Sequence, residues 1–201
     1  VEYVPLLASC VDDESEKVRK EVVSSIGHIA REFPEEAAPS VKEISDKIPE
    51  MPTRSLFSIG QVLKEYPNLG EPMIPELIEL LEKDDYSQRN NALAVLADIA
   101  KEYPDELKKH VQRFSELLYD DDNYVRYNAV TVLSRIGIEY PSEVKEFSPR
   151  VMELLDSEME GTRENACWFL GYVGCEDAHS ELERLSDTDP SEDVREAAEL
   201  S

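Results

Sequence analysis

Apolar residues return every three or four positions in a series of stretches along this chain. Val18, Val22, Ile26 and Ile29 share one stripe, and Ala92, Leu96 and Ile99 continue a stripe begun at Gln88. Val125, Ala129, Leu133 and Ile136 form a third, and Thr162, Ala166, Leu170 and Val173 a fourth. A period of about 3.6 residues predicts amphipathic helices, each with one face for a core. Four segments end alike, on Phe33-Pro34, Tyr66-Pro67, Tyr103-Pro104 and Tyr140-Pro141, with the prolines 33, 37 and 37 residues apart. Proline disfavours helical geometry in the residue before it, so each aromatic–proline pair marks a helix end.

An acidic turn precedes these helices, at Asp12-Asp13, Asp84-Asp85, Asp120-Asp121-Asp122 and Asp187 to Asp189. Carboxylates there are expected to cap the helix N-terminus and to complement its dipole. Before each turn lies a shorter apolar segment: Leu77, Leu80 and Leu81, then Phe114, Leu117 and Leu118, then Val151, Leu154 and Leu155. Proline recurs inside that first helix at Pro5, Pro75 and Pro149, with Pro39 offset by one and Gln112 in its place once, and is expected to bend it. The pattern predicts six units of helix, acidic turn and helix, at about 1–34, 35–67, 68–104, 105–141, 142–174 and a shortened 175–201. One helix pair cannot bury its apolar stripe alone, so the expectation is a single all-α stack of repeats over residues 1–201.

The segments Asp13 with Val18-Arg19, Asp120 with Val125-Arg126 and Asp189 with Val194-Arg195 resemble the HEAT-repeat family, with weaker copies at Asp84 with Gln88-Arg89 and Asp156 with Thr162-Arg163. The resemblance implies a right-handed α-solenoid, an alpha-alpha superhelix of about six HEAT-like helix pairs. It also implies a structural ladder in which Arg19, Arg89, Arg126, Arg163 and Arg195 bond acidic residues between successive units. The second unit has Met51-Pro52 at that place, where a rung is expected to be missing. Glu164-Asn165-Ala166-Cys167-Trp168-Phe169-Leu170-Gly171 is also similar to armadillo repeats, in which a Trp and an Asn four residues later hold an extended peptide. Trp168 fits the first position, but Tyr172 stands at the second, with His28, Gln61, Asp98 and Arg135 in the other units.

In such solenoids the second helices line a concave binding face. Positions off the apolar stripe are therefore the candidate contacts for a protein partner: Ser24, Phe57, Ala94, Thr131 and Trp168 in one row, His28, Gln61, Asp98, Arg135 and Tyr172 in the next. Trp168 and Tyr172 are four apart and neighbours on a helix surface, where aromatics make good interface anchors; the alternative is that Trp168 is core. Asn91, Asn128 and Asn165 recur at 37-residue intervals and are expected to tie neighbouring helices together rather than to read a partner's backbone.

Charge narrows the partners. The 201 residues hold 45 Asp and Glu against 21 Lys and Arg, a net charge of −24. Such a surface repels phosphate backbones and anionic membranes, so nucleic acid and membrane partners are disfavoured. The acids occur in every unit, which favours general solvation, as in a salt-rich cytoplasm, over an address for a basic partner. The three cysteines, Cys10, Cys167 and Cys175, have no CxxC spacing and suit a reducing, cytoplasmic setting. No stretch approaches the roughly 18 apolar residues of a membrane helix. The chain opens at Val1 without a methionine and stops at Ser201 inside an expected helix, as a trimmed or processed fragment would. His28, His110 and His179 lie in separate units, and no phosphate-loop, nucleophile-elbow or metal-ligand motif occurs, so neither catalysis nor a cofactor or metal is expected. The leading expectation is a non-catalytic scaffold or adaptor that binds a protein or peptide. Its rivals are a HEAT-like enzyme, of the alkylated-base DNA glycosylase or bilin lyase kind, and an architectural segment.

Overall fold

A computed structural model describes residues 4–50, 53–63 and 69–201, and every regular element among them is helical. The chain is an all-α repeat protein of solenoid class. It divides into two compact halves, Val1–Tyr103 and Pro104–Ser201.

In the first half α1 (Val4–Ala8) and α3 (Pro34–Lys47) accompany the second helices α2 (Glu16–Glu32), α4 (Thr53–Leu63) and α6 (Tyr86–Ile99), with α5 (Ile74–Leu80) before α6. Here α2 packs on α3 and α4, and α4 packs on α6. In the second half α7 (Pro104–Leu107) and α8 (Val111–Glu116) precede α9 (Asn123–Glu139). Then α10 (Pro141–Val144) and α11 (Ser148–Glu153) precede α12 (Glu160–Tyr172), and α13 (His179–Thr188) precedes α14 (Glu192–Leu200). The second helices pack in series, α9 on α12 and α12 on α14.

The aromatic–proline pairs make one-residue turns. Phe33 and Tyr140 leave helical geometry, at φ −138° and −127°, while their N–H groups still donate to Ile29 O and Ile136 O. Pro34 and Pro141 then open α3 and α10 at once, because the missing N–H is not needed in a first helical turn. The Tyr66-Pro67 pair lies outside the described residues. Between α12 and α13 there is no such pair. Instead Gly174, at φ +58°, donates to Gly171 O and Cys175 N–H donates to Leu170 O, a Schellman ending that needs a residue with left-handed freedom.

Two expectations need correction. The first helix of a repeat is broken rather than bent: 3-10 turns at Lys108–His110 and Lys145–Phe147 separate α7 from α8 and α10 from α11. Pro149 is the second residue of α11 and Pro75 the second of α5, where the ring is tolerated. The fourth repeat breaks at the same place with Gln112 there, so proline accommodates the break without causing it. Pro39 sits inside an unbroken α3. The acidic turns also divide their labour. Asp85 caps α6 through Ser87 N–H, and Asp122 caps α9 through Tyr124 and Val125 N–H. Asp13, Asp120 and Asp189 instead accept from the N–H two residues on and shape the turn itself.

The core follows the stripes closely in the second half. Val125, Ala129, Leu133 and Ile136 are fully buried, and Thr162, Ala166, Leu170 and Val173 of the next repeat's stripe are buried as well. In α2 the stripe is rotated: Arg19, Val22, Val23 and Ile26 are buried, while Val18 is 37% exposed. Val18 opens on a shallow groove with Leu7, Lys17 and Glu21.

Candidate binding face on the second helices

Helix α12 turns Thr162, Ala166, Cys167, Phe169 and Leu170 into the core. That leaves Glu164, Trp168 and Tyr172 along the opposite side, spaced by four. Trp168 is half-buried and Tyr172 is 40% exposed. Their rings stack, with centroids 6.0 Å apart and planes 16° apart. The pair suspected from spacing is thus one aromatic surface, partly sheltered and partly open.

The same row on α9 is less open. Thr131 was expected among the exposed contacts. It is buried, donates its hydroxyl proton to Tyr127 O at 2.8 Å, and accepts from Asn165 Nδ2 at 2.9 Å. A hydroxyl so used bridges α9 to α12 and offers nothing to a partner. Arg135, one turn on, is half-buried. Tyr127 lies against Gly161, where an added Cβ would come 2.9 Å from its ring. The Asn row is structural where its bonds are seen: Asn165 spans two helices as above, and Asn91 donates to Ser87 O within α6.

In the first half His28 is exposed on α2. Asp98 of α6 is largely covered and pairs with Lys101 at 2.9 Å. The side chains of Phe57 and Gln61 lie outside the described residues.

The five arginines share a feature besides the ladder expected of them. Each directs Nη1 to the carbonyl six residues back: Arg19 to Asp13 O at 2.8 Å, Arg89 to Lys83 O at 2.8 Å, Arg126 to Asp120 O, Arg163 to Ser157 O at 2.8 Å and Arg195 to Asp189 O at 2.6 Å. Four also reach the carbonyl five back. The guanidinium therefore closes the turn of its own repeat. An inter-repeat rung joins Arg163 to Asp189, a fork of 2.8 and 2.9 Å with the two side chains only 12% and 3% exposed. The Arg163 fork holds the Asp189 carboxyl below the usual range against the opposing effect of burial. Arg19 instead reaches Ser58 Oγ on α4 at 3.4 Å.

Further cross-repeat contacts went unforeseen. Arg150 donates to Leu118 O at 2.8 Å and lies 4.1 Å over the Tyr119 ring. Lys108 sits 4.0 Å over the Tyr140 ring, and Lys145 donates to Gly174 O at 3.0 Å. The spacing carried a signal: Lys108 and Lys145, like Arg113 and Arg150, are 37 residues apart. Burial pushes the Cys167 thiol up to about 12, which leaves it protonated and a poor nucleophile. Among the described residues no group of His, Cys, Asp and Glu is arranged to hold a metal, and no helix is long and apolar enough to cross a membrane.

Residues 111–201 match the model for HEAT repeats. The chain resembles designed armadillo repeat proteins in fold: one at 18% identity and TM-score 0.73, covering 98% of this chain and 97% of that one. A second, solved in complex with peptide (KR)4, gives 16% identity, TM-score 0.74 and coverage of 98% and 97%. A third, computationally designed for modular peptide recognition, has 16% identity, TM-score 0.69 and coverage of 98% and 97%. No curated protein matches the sequence. The chain is a helical-repeat protein of the HEAT and armadillo type. The HEAT-repeat match itself falls on residues 111–201.

Proposed function

We propose that the chain is a non-catalytic scaffold that docks a partner protein, or an extended segment of one, on the second-helix face of residues 104–201. One observation carries this reading: the stacked Trp168–Tyr172 pair stands off the core stripe of α12, with Tyr172 open to solvent. Large rings on a rigid helix bury much area at little entropic loss when a partner covers them. The peptide complex of a designed armadillo protein with the same fold supports an extended segment as occupant. The high thiol pKa of Cys167 speaks against covalent catalysis from α12.

Affinity capture from the source lysate tests the reading, with wild type beside Trp168→Ala and Tyr172→Ala. Proteins retained by the wild type are expected to be lost from both variants, corresponding to at least about a tenfold fall in affinity for a central aromatic anchor. Circular dichroism should confirm that both variants stay helical. Undiminished capture by both folded variants would remove this face as the site.

A further inference from the structure

We infer that Ser157 is a phosphorylation site, and that its phosphate seats on Arg126 to make the inter-repeat bond that a carboxylate makes one repeat later.

The position six residues before each turn-closing arginine is Asp13, Lys83, Asp120, Ser157 and Asp189 in chain order. The three aspartates each accept, through a side-chain oxygen, the N–H two residues on. Ser157 does the same with its hydroxyl, accepting from Met159 N–H at 3.3 Å. It is a serine in an aspartate's place. At Asp189 the carboxylate has a second task, the fork to Nε and Nη2 of Arg163 one repeat back. The corresponding arginine for Ser157 is Arg126. Arg126 turns Nη2 to Asn123 Oδ1 within its own turn, and Nη1 to the carbonyls of Asp120 and Asp121. Ser157 and Arg126 line one cleft of about 330 Å³, together with Asn123, Arg150, Asp156 and Glu158. A serine hydroxyl is short and uncharged, a poor answer to a guanidinium across that space. A seryl phosphate carries about −1.5 to −2 charges and three acceptor oxygens, which suit a guanidinium fork.

The segment also fits a kinase. Ser157 is half-buried in extended geometry, φ −62° and ψ 141°, between a 3-10 turn that ends at Asp156 and the start of α12. Asp156, Glu158 and Glu160 around it are exposed, so the stretch Asp156-Ser157-Glu158-Met159-Glu160 complements a basic substrate groove. The Ser157 hydroxyl oxygen attacks the γ-phosphorus of a nucleoside triphosphate. The bond to the departing nucleoside diphosphate breaks, and the hydroxyl proton passes to the kinase's catalytic base. Within the cleft Glu153, Asp156 and Glu158 oppose the added charge, and Arg126 and Arg150 offset it. Two of those acids already have cations, Glu153 in Arg150 and Asp156 in Arg184. Because α9 packs on α12, a phosphate on Ser157 held by Arg126 fastens adjacent repeats.

The full chain, purified from the cells that make it, is digested and read by tandem mass spectrometry. Phosphate on Ser157 is expected. Full chain carrying phosphoserine at position 157 is then titrated by phosphorus NMR. Its second phosphate ionisation is expected about one pH unit below that of the same phosphoserine in a synthetic peptide of residues 153–161. Arg126→Gln should erase the difference, and Arg126→Lys, which keeps the charge without the fork, should retain part of it. Circular dichroism checks that both variants stay helical, and the comparison of folded wild type with peptide needs neither. An unmodified Ser157 in protein from every growth condition sampled would overturn the modification. Equal ionisation in folded chain and peptide, or a difference that survives in folded Arg126→Gln, would overturn Arg126 as the seat.

Discussion

At the level of single residues, the structure separates what spacing reveals from what it hides. Glu164, Trp168 and Tyr172 recur at intervals of four, so their common face was legible before any coordinates. The role of the arginines was only partly legible. Their regular position after each acidic turn shows that the turn uses them, but not that the acceptor is a backbone carbonyl. A carboxylate rung needs an acid at the turn of the next repeat. That place is Asp189 for Arg163, whereas for Arg126 it is Ser157. The Arg163–Asp189 pair is nearly buried, so removing one charge leaves the other stranded. Asp189→Asn is expected to lose about 3 kcal/mol at neutral pH, measured by urea unfolding. Its folded carboxyl sits below the ordinary range, so its stabilisation is full above that range and disappears as pH falls through the folded value. The gap between wild type and variant should therefore start to close only below the ordinary carboxylate value and narrow further as pH falls through the lower folded one. A gap of constant size would assign the loss to packing.

Among elements, the second helices were readable because one face of each is apolar over several turns. The first helices were not, since short pieces joined by 3-10 turns present too few periods to show a break. Gln112 stands where other repeats have proline, yet the break persists there, so it belongs to the repeat and not to any one residue. The turns use two solutions to the same problem. Phe33-Pro34 and Tyr140-Pro141 redirect the chain in one residue at negative φ, which any side chain adopts. Val173-Gly174-Cys175 redirects it through φ +58°. An added Cβ at Gly174 would meet nothing within 4 Å, so conformational strain alone sets its effect. Gly174→Ala is expected to lose about 1 kcal/mol in a thermal or urea unfolding experiment. A neutral result would show that the turn relaxes to another ending.

For the molecule as a whole, charge is the property that composition states most plainly and sequence order explains least. A formal −24 spread over every repeat implies mutual repulsion in the folded state. Local pairs relieve part of it: Glu16 with Lys20, Lys42 with Asp46, Glu43 with Lys47 and Glu79 with Lys83 all follow the helical spacing of four. Each is exposed, and such pairs contribute about 0.3–0.5 kcal/mol at most before salt screens them. Added salt weakens these few attractions and the far more numerous repulsions together, so the repulsions decide the sign. As the screening length shortens from about 10 Å at 0.1 M to about 3 Å at 1 M, the folded state should gain. The melting temperature is expected to climb by several degrees across a KCl series over that range, since about 1 kcal/mol moves a chain of this size by roughly 2–4 °C. A flat or falling melting temperature would mean that the local pairs already balance the surface, and would leave the excess acidity without a role in stability.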